Sequence, residues 1–370
     1  MPPVCYECDE TSQNPIIRHK KSKIVSPFDA LILPYFAKKI KPCTPFPAGV
    51  LSISRQVKGE DRMDNITAKV SCFARAYHYK HNSEAGRIFS DSMAAELLGE
   101  DYSRIAASMT EGIPFFMPDF KGTPQEGLRL IVDMQLSPSV LGRSAFCEEA
   151  LESEIESGCR QYVIFASGYD TYALRHSTDT RVNTPTDIPR VFELDLPEVT
   201  EDKARRIAEG GLKSKAIQVP CDLAKADWTD LLISRGYETG QKTFGSLLGI
   251  SYYLQKEEWK NLLKTAAGIL PAGSVICFDY PCEDEGKETK VNRKLARGAG
   301  EVMKAAYSPR EMAKLLDECG FSIRKKLNPK EMTEQYFSRH NELNPGHPMA
   351  APKGVNYILA DRDKSIQSMV

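Results

Sequence analysis

The chain has 370 residues, with 49 Lys and Arg against 50 Asp and Glu, for a formal net charge of -1. That balance argues against a nucleic-acid-coating surface, which carries a basic excess. The 41% hydrophobic and 27% charged residues are those of a globular protein with material for a large core, and no window approaches the ~20 consecutive apolar residues of a membrane span.

Residues 1–62 set themselves apart. Cys5 and Cys8 have the two-residue gap of a zinc half-site, with His19 and Cys43 as further candidates, but no second close pair follows and no metal is assigned. A basic run, His19 to Lys23, precedes the apolar patch Ala30 to Phe36, and the prolines from Pro27 to Pro47 break any long helix. This reads as a loosely structured extension. The opening residues lack the basic-then-apolar order of a secretory leader. The ten cysteines are irregularly spaced and mostly sit in apolar stretches, as Cys72, Cys147 and Cys277 do. Both features set the expectation of a cytoplasmic protein with reduced thiols.

From residue 63 the pattern becomes regular. Val70, Phe73, Ala74 and Tyr77 share one face of a helix over 67–79. A second helix fits 92–98, a loop fits 114–124, and 133–159 is mostly helical. The first strong strand is the continuous apolar run 161–166, the form expected when helices cover both faces of a parallel sheet. It runs into Ser167-Gly168-Tyr169-Asp170-Thr171 and a helix through Arg175. Further strands fit 190–195, 216–220, 244–250, 274–280, 322–326 and 355–360. Helices fit 198–210, 256–269 and 309–319. Strands alternating with helices in this number predict a doubly wound α/β sheet.

Ligands of such sheets sit beyond the carboxyl ends of the strands, near the switch point. Gly168 follows the first strand, where a missing Cβ admits close approach. Asp195 ends the second strand, where a carboxylate can accept from both hydroxyls of a ribose. Asp222 ends the third, where it can meet an adenine amino group. Each alone has a plainer reading, a turn glycine or a helix-capping acid; in register they point to an adenosine-containing ligand. A nicotinamide cofactor needs a glycine cradle for its pyrophosphate, whereas this turn has one glycine and places Asp170 where a phosphate would lie. That charge suits a cofactor carrying an ammonium and a sulfonium.

The segment Val163 to Arg175 resembles the first motif of the leucine carboxyl methyltransferase family, which includes bacterial polyketide O-methyltransferases. The resemblance continues through Val191 to Pro197 with Lys203, and through Cys221-Asp222-Leu223. It extends upstream to Arg75-Ala76-Tyr77-His78, Ile88 to Asp91 with Ala94, and Arg143 to Phe146. It also takes in Gly249 to Leu254, and spans roughly residues 64–361. It implies a Rossmann-like class I methyltransferase fold with an antiparallel C-terminal strand, and S-adenosylmethionine as cofactor. On that basis Arg143 pairs with the methionine carboxylate, and Gly168 lines the methionine and ribose. Asp195 meets the ribose, and Asp222 with Leu223 the adenine. Lys69, Ala166, Asp170, Glu193 and Leu248 complete the candidate cofactor set. The family's usual first glycine is Ala166 here, implying a tighter turn. Its arginine after Asp-Thr is Tyr172, and its fourth-strand glutamate is Leu248. These departures point to the bacterial small-molecule branch.

The expected organisation is an extension over 1–62, a methyltransferase domain over 63–362 and a tail over 363–370. The domain divides into a helical cap over 63–150 and a Rossmann-like core over 160–362. The expected reaction is O-methylation of a small-molecule carboxylate or phenol. A carboxylate needs no base; a phenol benefits from one, for which His78, Tyr252 and Tyr253 are candidates. The alternatives are a nicotinamide oxidoreductase and a non-catalytic scaffold. No nucleic acid or membrane partner is expected.

Overall fold

The computed structural model describes residues 66–177, 188–225, 227–282 and 305–363. The Cys5/Cys8 pair, the basic run and the tail beyond Asp363 lie outside them.

The cap opens with α1 (Ile66–His81), α2 (Ala94–Leu98) and α3 (Glu100–Glu111). A short helical turn, Ile113–Phe116, follows where the sequence predicts the start of a loop. Pro114 is tolerated there because a proline in the first turn forfeits no helical hydrogen bond. The next helix, α4 (Pro124–Ile131), starts on a reciprocal cap: Thr123 Oγ1 accepts from the Glu126 amide, and Glu126 accepts from the Thr123 amide at 2.8 Å. A π-helical turn, Val132–Leu136, leads into α5 (Ser137–Glu156).

The core then alternates. Strand β1 (Gln161–Phe165) is followed by a one-turn helix at Tyr172–Arg175, then β2 (Arg190–Asp195) and α6 (Pro197–Glu209). Next come β3 (Ile217–Pro220), α7 (Trp228–Ser234), β4 (Thr243–Leu247) and α8 (Lys256–Ile269). Then come β5 (Val275–Pro281), α9 (Pro309–Glu318), β6 (Phe321–Leu327), α10 (Ser338–Leu343) and β7 (Val355–Arg362). The strands fall where the sequence predicts them; α7 and α10, of seven and six residues, are not among its predicted helices.

The seven strands lie in the order β3-β2-β1-β4-β5-β7-β6. The first five pair in parallel; β7 runs antiparallel to both β5 and β6. The reversal of order between β1 and β4 is the switch point at which a ligand crevice opens. Side chains alternate across β1. Val163 and Phe165 pack on one face with Trp228, Trp259 and Met312, and Tyr162 and Ile164 on the other with Phe146 and Leu151. Both faces are covered, which explains the unbroken apolar run. A third cluster joins Cys72, Phe73 and Tyr77 of α1 to Leu97, Leu98 and Val132, and includes Tyr169 from the loop after β1 and Leu174 from the one-turn helix that follows it. The cap therefore packs directly on that loop.

Candidate functional site

The loop after β1 is built from left-handed backbone. Ala166 has φ 52° and Gly168 φ 50°. An alanine there costs about 1–2 kcal/mol relative to ordinary backbone. The turn is therefore not tighter for want of a glycine; alanine adopts the conformation a glycine would take freely. At Gly168 the restriction is also steric, because an added Cβ would come within 3.2 Å of the Ala68 Cβ on α1.

Asp195 closes the adjoining strand. Its Oδ2 accepts from the Gly168 amide at 2.6 Å and its Oδ1 from the Leu196 amide at 2.7 Å. Burial raises the pKa of this carboxyl, and the two amides only partly oppose the shift. The Cys221 amide donates to the Asp195 carbonyl at 2.8 Å, which seats the end of β3 beside the end of β2. Asp222 follows, more open, accepting from the Ala224 amide at 3.0 Å with Lys225 at 3.7 Å. Leu223 packs on the neighbouring core cluster. Gly168, Asp195, Asp222 and Leu223 thus share one edge of the sheet, as the sequence leads one to expect.

The loop is held from below by a buried ion network. Arg75 Nε donates to Asp91 Oδ2 at 2.7 Å and Arg75 Nη2 to the Tyr169 carbonyl at 2.6 Å. The Thr171 hydroxyl donates to Asp91 Oδ1 at 2.7 Å, and Arg175 pairs with Glu148. Burial works against the Asp91 charge, but Arg75 and Arg175 outweigh it and hold the carboxyl below its ordinary range. Asp170 caps the following turn by accepting from the Tyr172 amide at 2.8 Å.

On the other side of the switch point, Arg143 of α5 lies against Gly249, just past β4. A Cβ on Gly249 would fall 2.6 Å from Arg143 Nη1, and its φ is +70°. Arg143 Nη1 reaches Asp279 Oδ2 at 3.5 Å, a long contact. Asp279 itself is tightly held: its Oδ1 accepts from the Gly249 amide at 2.7 Å and its Oδ2 from the Tyr252 hydroxyl at 2.8 Å. Leu248, apolar and packed in the second cluster, brings no charge; the acid facing Arg143 comes from β5. The sequence reading passed over Asp279 and gave Gly249 no role. A carboxylate inside the apolar run of β5 was the available signal, since a buried charge needs partners.

Other candidates are placed elsewhere. Glu193 sits two residues inside β2, with Lys203 Nζ at 2.6 Å and Gln218 beside it; the two charged side chains are 2% and 1% exposed. Burial raises its pKa against the pull of Lys203. It holds α6 to the sheet and is not free for a cofactor. Lys69 adjoins Ala68 near Gly168 but pairs with Asp101 at 3.4 Å. His78 is fully buried, and its Nε2 accepts from the Ile88 amide at 2.9 Å. Its ring lies 5.4 Å from that of His340. It is ten residues from Ala68 along α1, about 15 Å at 1.5 Å per residue. Burial, then His340 and Arg129, lower its pKa to about 3. His78 is thus held inside the cap by the Ile88 amide and beside His340, and the structure does not bring it to the strand ends. Tyr252 is buried and already donates to Asp279 at 2.8 Å, and burial, reinforced by the Asp279 charge, pushes its pKa well up. Tyr253 is partly buried against the second cluster.

The sheet order, the single reversed strand and the acid-and-glycine pair at the ends of β1 and β2 define a class I methyltransferase fold. The family model "Leucine carboxyl methyltransferase" matches residues 68–267, more than half of the chain. "Putative S-adenosyl-L-methionine-dependent methyltransferase YktD" of Bacillus subtilis (strain 168) is 32% identical over 309 residues, covering 80% of this chain and 97% of that one. A relative in Mycobacteroides abscessus with the same description, apart from the YktD, is 28% identical over 236 residues, covering 61% and 73%. The chain belongs to the leucine carboxyl methyltransferase family.

Proposed function

We propose that this protein is an S-adenosylmethionine-dependent O-methyltransferase and that its acceptor is the carboxylate of a small molecule. The observation that carries the cofactor is the Gly168 amide bonded to Asp195 at 2.6 Å, at the switch point, on left-handed backbone where a Cβ would crowd Ala68 at 3.2 Å. The residues present fit the group. Asp195 offers remaining lone pairs to ribose hydroxyls, and Asp222 with Leu223 suits an adenine edge and face. Arg143, bound only at 3.5 Å among the described carboxylates, keeps donors for the methionine carboxylate. The cofactor, when bound, supplies an electrophilic methyl group. The chain's residues orient it, and the cap over the β1 loop excludes water.

The engagement of two of the three candidate bases supports a carboxylate over a phenol, and Tyr253, partly buried against the second cluster, is the candidate left to the phenol reading. His78 is engaged by the Ile88 amide and Tyr252 by Asp279. A carboxylate is ionised at neutral pH and needs no proton removed. The seven cysteines among the described residues carry free thiols, six of them buried, which supports a reducing, cytoplasmic setting. The domain limits we propose are 63–362, with the cap over 63–150.

Thermal shift with S-adenosylmethionine, S-adenosylhomocysteine, NAD and NADP tests the cofactor. Stabilisation by the two adenosyl-sulfur ligands alone is the expected result; stabilisation by a dinucleotide alone would favour the oxidoreductase alternative. Mass spectrometry of products from a panel of carboxylic acids and phenols then tests the acceptor. A +CH2 product only from phenols would remove the carboxylate.

A further inference from the structure

Behind Arg143 lies a buried acid, Asp279. Asp279 is 1% exposed, in the middle of the sheet, where an unpaired carboxylate would be costly. It is instead held on both oxygens by donors from the segment after β4, the Gly249 amide and the Tyr252 hydroxyl, while the Ser251 hydroxyl donates to the Asp279 carbonyl at 2.8 Å. Tyr357, its cross-strand partner on β7, is also fully buried. The same Gly249 lacks the Cβ that would strike Arg143 Nη1 at 2.6 Å. One short segment thus fixes the acid and makes room for the cation, although Asp279 and Arg143 lie 136 positions apart.

We propose that Asp279, locked by Tyr252 and Gly249, is a positioning residue that aims the Arg143 guanidinium at the carboxylate of the adenosyl ligand. The contact of 3.5 Å is long enough to orient the guanidinium without consuming its donors, whereas a short bidentate pair would occupy the face a ligand carboxylate needs. Tyr252 acts through Asp279 and is a positioning residue in turn.

The inference rests on the adenosyl-ligand reading, and the test separates the two. Affinities are measured by calorimetry for S-adenosylhomocysteine, which has the amino-acid carboxylate, and for 5′-methylthioadenosine, which lacks it. Wild type, Arg143→Ala, Asp279→Asn, Tyr252→Phe and the double variant Arg143→Ala/Asp279→Asn are compared. Asp279→Asn and Tyr252→Phe are expected to weaken S-adenosylhomocysteine about tenfold, the scale of one charged hydrogen bond. Both are expected to leave 5′-methylthioadenosine within about twofold. The double variant is expected to bind no worse than Arg143→Ala alone. Unchanged S-adenosylhomocysteine affinity in Asp279→Asn, or equal losses for both ligands in Asp279→Asn and Tyr252→Phe, would overturn the positioning role. Unchanged affinity in Arg143→Ala would overturn the assignment beneath it. The carboxylate-free ligand also reports folding, and Tyr252→Phe, an isosteric change, covers the case in which Asp279→Asn fails to fold.

Discussion

The Arg75 guanidinium donates to Asp91 at 2.7 Å and, with its other arm, to the Tyr169 carbonyl at 2.6 Å, so one buried cation ties α1 and the segment leading into α2 to the loop after β1. Removing one partner of a buried pair strands the other without solvent. Asp91→Asn is therefore expected to destabilise by about 3–5 kcal/mol, read as a lowered urea midpoint with unchanged slope. It is also expected to weaken S-adenosylhomocysteine binding, because the loop loses its anchor. The pH dependence has a definite sign. Asp91 has a lowered folded pKa, so its contribution is present above the unfolded value near 3.8 and is lost as pH falls through the folded value.

Gly168→Ala places a Cβ 3.2 Å from Ala68 on a backbone at φ +50°. We expect about 1–2 kcal/mol of destabilisation from the backbone alone and a loss of adenosyl-ligand affinity. Adding Ala68→Gly should relieve the contact but not the backbone strain. Partial rather than full recovery of the melting temperature checks that division.

Asp195 has no cationic partner within salt-bridge distance among the described residues, and burial raises its pKa against the two amides that bond it. Asp195→Asn keeps one of the two acceptors that the Gly168 and Leu196 amides use, and is expected to destabilise the unliganded fold by about 1–3 kcal/mol. It should weaken S-adenosylhomocysteine by at least roughly tenfold, the worth of a hydrogen bond to a charged group. Unchanged affinity on calorimetry would remove Asp195 from the site.

His78 predicts acid sensitivity unconnected with catalysis. Its pKa drops from 6.5 to about 3 on folding. As pH falls below 6.5 the unfolded chain takes a proton that the folded chain refuses, so stability declines by up to roughly 1.4 kcal/mol per pH unit toward pH 3. His78→Gln keeps an acceptor for the Ile88 amide and removes the titration. Its stability profile over that window should be flatter than wild type, and its turnover at neutral pH should stay within a few-fold.

The readable part of this protein was local. The apolar runs of β1, β2 and β5 mark buried strands because both faces of each are covered, and the ends of β1, β2 and β3 locate Gly168, Asp195 and Asp222. Boundaries at α4 and α8 follow from caps written within four residues, Thr123 with Glu126 and Gln255 with Glu258. Sequence alone does not separate the surroundings of Glu193 from those of Asp195, two acids of the same strand. Glu193 lies two positions inside the strand, beneath α6, where Lys203 neutralises it, whereas Asp195 sits at the end of β2, where the ligand edge begins.

What the sequence alone determined was the class of fold, the succession of strands and the residues at their carboxyl ends, all set by hydrophobic period and turn chemistry over short stretches. Only the tertiary structure decided that His78 is walled in by His340, that Tyr252 serves Asp279, and that Arg143 rests on the bare backbone of Gly249. Those contacts join residues up to 262 positions apart (His78 and His340), and they exist only once the sheet and its cap have packed. No local pattern can encode which distant partner a buried charge or imidazole will meet.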